Sequence, residues 1–117
     1  LIKENPNDPF FYELKGQVSF ESGKIREAVG YYREALRYLP KARIIPMLLA
    51  QALLELPDRN PKEIDEAVRL LTRTLASSPD NVFAWRLLAQ AYGKKNQMDQ
   101  VALCLAEEAL RTDDLPR

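Results

Sequence analysis

The sequence predicts an all-α fold, a solenoid of antiparallel helical hairpins, and three observations carry that prediction. Pro6, Pro40 and Pro79 each close an apolar stretch, at offsets of 34 and 39 residues. The same offsets carry Phe10 to Ile44 and Phe83, Leu14 to Leu48 and Leu87, Gly16 to Ala50 and Ala89, and Gln17 to Gln51 and Gln90. Between the prolines, apolar residues recur three and four apart, the period of a helix with a buried face. A unit of 34 residues cannot bury its own apolar surface, so it stacks on its neighbours, and the hollow side of such a stack is usually a binding surface.

The first helix is predicted over residues 10–21. Phe11, Leu14 and Val18 form one stripe, and Phe10, Gln17 and Phe20 another, so this helix is contacted on two sides. Asp8 is placed to cap it, and Pro9 suits the first turn, where a missing amide hydrogen costs nothing. Ser22-Gly23-Lys24 is the turn, with Gly23 free to take the left-handed conformation that ends a helix. Ile25, Ala28, Val29, Tyr32, Ala35, Leu36 and Leu39 mark the second helix, which Pro40 stops. The second hairpin runs from Ala42 to Leu56 and from Ile64 to Leu75. Pro46 requires a late start or a kink in the former, and the lengthened turn around Pro57-Asp58-Arg59-Asn60-Pro61 accounts for the longer offset. The third runs from Val82 to Tyr92 and from about Asp99 to Leu110, around Gly93-Lys94-Lys95-Asn96-Gln97. Taking this turn as one residue longer than the first sets Ala102, Ala106 and Ala109 in the places of Ala28, Tyr32 and Ala35.

Composition narrows the function. With 17 basic and 17 acidic side chains the net charge is zero, which argues against gathering nucleic acid or an anionic membrane. No apolar run approaches the roughly 20 residues that span a bilayer, so no membrane insertion is expected. Leu1 opens no signal-peptide pattern. The sequence has no histidine and a single cysteine, Cys104, so a Ser-His-Asp or Cys-His arrangement and a Cys/His zinc site are excluded. Cys104 reads as a small buried hydrophobe. The acidic pairs Asp65-Glu66, Glu107-Glu108 and Asp113-Asp114 are adjacent residues, which point apart on a helix and cannot share a cation. Four scattered glycines make no phosphate loop.

Trp85-x-x-Leu88-Ala89-x-x-Tyr92, with Gly23, Ala28, Tyr32, Ala35 and Pro40, and with Ala67 and Pro79, resembles the tetratricopeptide repeat. The resemblance covers essentially the whole chain. It implies a right-handed superhelix of three hairpins: residues 1–8 as the end of a preceding repeat, 9–42, 43–81 with the lengthened turn, and 82–117. Lys15 and Ser19 stand where large apolar residues are usual, and Thr74 replaces a small alanine. More narrowly, Asn5-Pro6-Asn7-Asp8-Pro9-Phe10-Phe11, Leu48-Leu49-Ala50-Gln51-Ala52-Leu53-Leu54 and Ala84-Trp85-Arg86-Leu87-Leu88-Ala89-Gln90-Ala91-Tyr92 are similar to the helical tail of certain bacterial zinc metallopeptidases. That likeness implies a non-catalytic tail, a place in the periplasm or cell envelope, and zinc only in the parent's catalytic domain; without it the cytoplasm is the expected place. No cofactor is expected in these residues.

In that repeat family the first helix of each hairpin lines the concave groove. The corresponding stripe here is Phe10, Glu13, Gln17 and Phe20, then Ile44, Met47, Gln51 and Leu54, then Phe83, Arg86, Gln90 and Gly93. The expected partner is a protein or peptide. Gln17, Gln51 and Gln90 form a ladder of paired donors and acceptors for an extended backbone, flanked by apolar groups for its side chains. The plain alternative is that glutamine is a good helix former at a half-exposed position. A clamp for a terminal carboxylate needs converging cations, and Glu13, Gln17, Leu48, Phe83 and Leu87 do not supply them. Two further contacts are expected. The long turn is a candidate for docking on a catalytic domain of the same protein, or a tolerated insertion. The last helix lacks a polar cap after Leu110, which predicts an apolar end face around Val101, Leu105 and Ala109 and self-association or domain docking through it.

Overall fold

The computed structural model describes residues 8–58 and 60–113. The expectation about a preceding repeat in residues 1–8 lies almost wholly outside them. Six helices follow in order: α1 Pro9–Glu21, α2 Ile25–Tyr38, α3 Ile45–Glu55, α4 Pro61–Ser77, α5 Val82–Lys94 and α6 Met98–Asp113. No strand occurs among the described residues. Each helix packs on the next in sequence, so α1–α2, α3–α4 and α5–α6 are hairpins stacked into an all-α helical-repeat solenoid. Its radius of gyration, 15.0 Å, exceeds the about 13 Å of a compact domain of this length.

Local chemistry sets the helix ends. The Phe10 amide donates to Asp8 Oδ1 at 2.9 Å, and Pro9 opens α1. Gly23, at φ +80°, closes it: the Gly23 amide donates to the Phe20 carbonyl and the Lys24 amide to the Ser19 carbonyl, at 3.1 and 2.8 Å. This is the reciprocal pair of a Schellman motif. Asn96, at φ +59°, repeats it after α5, with its own amide donating to the Gly93 carbonyl and the Gln97 amide to the Tyr92 carbonyl. Asparagine tolerates the left-handed region well enough to stand in for glycine. The third turn is therefore no longer than the first, and Gly93 and Lys94 are helical. The expected register of α6 is corrected by one residue: Val101, not Ala102, takes the place of Ala28 and packs on the core, while Ala102, Ala106 and Ala109 are exposed.

Pro46 gives α3 a late start at Ile45. The insertion is not all loop. Three of its residues, Pro61, Lys62 and Glu63, add a first turn to α4, which begins before the expected Ile64. The cause is a capping box: the Glu63 amide donates to Asn60 Oδ1 and the Asn60 amide to Glu63 Oε1, each at 3.0 Å. The Arg26 guanidinium of the first hairpin then bonds both the Glu63 carboxylate and, at 2.9 Å, Asp58. The insertion thus fastens the second hairpin to the first.

Arg26 holds both carboxyls below their ordinary values, chiefly through its hydrogen bonds. A depressed carboxyl pKa stabilises the fold above the unfolded value and ceases to do so as pH falls through the folded one. Arg26→Gln should therefore lower the urea midpoint at about pH 7, and the gap to the unsubstituted chain should narrow as pH falls below the ordinary carboxyl range of about 4. Equal midpoints at neutral pH would show that the contact contributes nothing.

The core is a thin sheet of small and branched side chains, with Ala28, Val29, Ala35, Leu49, Ala50, Ala52, Leu53, Leu56, Ala67, Leu71, Ala84 and Ala91 almost free of solvent. Burying each leucine or valine contributes about 1.5–3 kcal/mol. The departures from the repeat pattern are accommodated locally. Lys15 Nζ lies over the Phe11 and Tyr31 rings at 5.7 and 5.8 Å, and Thr74 Oγ1 donates to the Leu70 carbonyl at 3.1 Å.

Candidate peptide-binding groove

The first helices of the hairpins share one side of the stack. α3 packs directly on α5, whereas the second helices α2 and α4 are bridged by long side chains, Arg26 to Glu63 and Arg33 to Glu66. Elements on the inner side of a curved stack lie closer together, which sets α3 and α5 on the hollow side, with α1 at the equivalent place in the first hairpin.

The expected groove residues divide into two groups. Phe10, Ile44 and Phe83 are exposed at equivalent places beside the helix starts, Phe10 at 72%. Gln17 and Gln90 are exposed and Gln51 is half-buried. No hydrogen bond engages these three amides among the described residues, so their donors and acceptors face solvent. Most of the remaining residues back the surface. Leu54, 5% exposed, belongs to the core rather than to the groove surface. It lies on the middle hairpin, where neighbours cover both flanks of α3. Phe20 and Met47 pack against that core, and the Met47 sulfur accepts from Asn81 Nδ2 at 3.4 Å. Asn81 in turn accepts from the Ala84 amide and caps α5. Arg86 is exposed but held by Glu108 of α6 at 2.8 Å. Gly93 is half-buried.

Phe10, Glu13 and Gln17 come together with Leu14 around a shallow cleft of about 280 Å³. Leu14 was not among the expected groove residues. No ion pair engages Glu13 among the described residues. Burial first, then the charges of Glu13 and Glu21, raise the pKa of the Tyr32 hydroxyl, and Glu13 is the carboxylate that lines the cleft. A second hollow, lined by Lys41, Arg43 and Arg73, lies outside the groove. Arg73 is engaged there by the Pro40 carbonyl, and the adjoining carboxyl end of α4 disfavours anions. Cys104 is buried, and burial, then Glu107, pushes its thiol pKa up, away from a reactive thiolate.

Trp85, central to the sequence signature, is structural here. Its Nε1 donates to the Pro79 carbonyl at 2.9 Å, and Arg111 covers its ring at 5.3 Å.

Stacked hairpins with a side-chain-lined hollow define an α-helical repeat protein. Residues 14–58 match the family model described as tetratricopeptide repeat, which supports a tetratricopeptide-repeat domain. Such repeats generally mediate protein–protein interaction and are typically non-catalytic. No curated protein matches the chain. No described helix is long and apolar enough to cross a membrane.

Proposed function

We propose that the chain binds an extended peptide or protein segment along the hollow side. The observation that carries this reading is the exposed apolar series Phe10, Ile44 and Phe83, set beside the unengaged amides of Gln17, Gln51 and Gln90. The amides bond the segment's backbone, and the apolar groups accept alternate side chains. At α1 the cleft joins an apolar wall, Phe10 and Leu14, to the Glu13 carboxylate. Lysine or arginine suits it, because an aliphatic stem can lie on that wall while its charge reaches Glu13. The resemblance to the tail of zinc metallopeptidases supports a narrower role, recruiting substrates for such a peptidase or regulating it, with zinc held by the catalytic domain. A His-Glu-x-x-His helix in the coding sequence upstream of Leu1 would support that role, and its absence would argue against it.

Binding to an immobilised array of extended peptides tests the groove. Apolar sequences with a lysine or arginine should be retained. Replacing Gln17, Gln51 and Gln90 together with alanine should weaken retention about tenfold or more, as expected for three backbone hydrogen bonds, with far-UV helicity unchanged. Unaltered retention disposes of the ladder.

A further inference from the structure

Among the described residues the stack ends on a row that is covered twice in the earlier hairpins. Ile25, Val29, Tyr32 and Leu36 form an apolar row along α2, and Ile64, Val68, Leu71 and Leu75 the equivalent row along α4; α3 packs on the first of these helices and α5 on the second, and every one of these residues is buried or half-buried. At the same places α6 has Met98, Ala102, Leu105 and Ala109, and all four are exposed, Met98 at 62% and Leu105 at 50%. The expected apolar end face is therefore present, except that Val101 packs on the core.

The opposite end carries the complementary row. Ile45, Leu48 and Ala52 form the equivalent row on α3, and Ala84, Leu87 and Ala91 on α5, the helices that pack on the preceding hairpin, and all are buried or half-buried. Their counterparts on α1 are Phe11, Leu14 and Val18. Leu14 and Val18 are exposed, Val18 at 52%.

The geometry points to head-to-tail stacking, in which the bare row of α6 takes α1 of a second copy as its occupant. Three features select this partner. The contact continues the α2–α3 and α4–α5 interfaces with the same rows. Sizes compensate: α6 has alanine where α2 and α4 have valine and leucine, while α1 has Val18 where α3 and α5 have alanine. Charges match as well. Arg26 on α2 pairs with Asp58 in the next hairpin's turn, and its counterpart on α4, Asp65, pairs with Lys95 in the turn after that. The counterpart on α6 is the exposed Asp99, and the turn of the first hairpin holds the exposed Lys24. Lys24 stands two residues beyond Ser22, the counterpart of Lys95, so Asp99 of one copy would meet a turn cation of the next with the polarity of Asp65 and Lys95.

Such a contact joins two different surfaces, so it extends rather than closes. Sedimentation equilibrium of the chain should show mass rising past a dimer with concentration. Val18→Lys and Leu105→Lys, both at exposed sites, should each weaken association at least about tenfold. Because each retains one intact end, mixing the two should yield a discrete heterodimer. Circular dichroism of each variant checks that it is folded. Charge exchange gives a second reading: Asp99→Lys mixed with Lys24→Asp should associate more tightly than either alone. A strict monomer at about 1 mM, where even a millimolar Kd populates complexes heavily, overturns the proposal and points to a helix of another polypeptide, or of further sequence, as the occupant. Association that survives Val18→Lys as a dimer but not Leu105→Lys overturns it in favour of α6 pairing with itself.

Discussion

Gly16→Ala should destabilise the protein by about 1–3 kcal/mol, the usual range for overpacking a core, although the same change normally improves a helix. Replacing glycine by alanine in a helix interior gains about 1 kcal/mol when nothing obstructs the methyl group. Here a Cβ on Gly16 would lie 2.7 and 2.8 Å from two ring carbons of Tyr32. Tyr32 is buried within the core cluster, so the ring cannot swing aside. The other hairpins show the alternative solution: Ala50 and Ala89 stand where Gly16 does, and Leu71 and Leu105 stand where Tyr32 does. Hence in a Tyr32→Leu background the Gly16→Ala change should be neutral or stabilising by up to about 1 kcal/mol. Urea unfolding of the four members of this cycle measures the coupling. A Gly16→Ala effect that is the same in both backgrounds would mean that the ring is not what excludes the methyl group.

This pairing illustrates which parts of the fold can be read from the residues. Asp8, Pro9 and Gly23 act within a turn of themselves, and their roles at the ends of α1 follow from side-chain chemistry alone. Pro46 likewise delays α3 for a local reason. The first turn of α4 was equally legible, since Asn60-Pro61-Lys62-Glu63 has the spacing of a capping box. Asn96 was harder. Only the backbone shows that it takes the conformation of Gly23, and that one residue sets the register of all of α6.

The groove depends on longer-range geometry. Periodicity places Phe20 and Leu54 on one stripe with Phe10 and Gln17, but it does not say where the neighbouring helix covers that stripe. Leu54 sits on a helix flanked on both sides, with seven of its eleven residues buried, whereas Phe10 lies on the first described helix, which among the described residues packs chiefly on α2. The same limit applies to Arg86. Its place on the groove was readable from the repeat offsets, yet its engagement by Glu108 depends on how α6 turns against α5.

Leu71→Ala and Leu105→Ala should have very different costs, although the two leucines occupy equivalent places in successive hairpins. Leu71 is fully buried, with α5 packed on its helix. Truncating it removes the transfer free energy of the lost atoms and leaves a cavity that the surrounding helices only partly fill, a loss of about 2–5 kcal/mol. Leu105 is half exposed. Its truncation should cost less than about 1 kcal/mol in the monomer, because little buried area is lost and no cavity is enclosed. Chemical unfolding at low protein concentration measures both. Adding protein then separates packing within a chain from packing between chains: the midpoint of the unsubstituted protein should rise with concentration, that of Leu105→Ala should rise less, and Leu71→Ala should keep the unsubstituted dependence from a lower base. Equal costs at high dilution would mean that α6 is already covered within the monomer, which would contradict the exposure of its outer row.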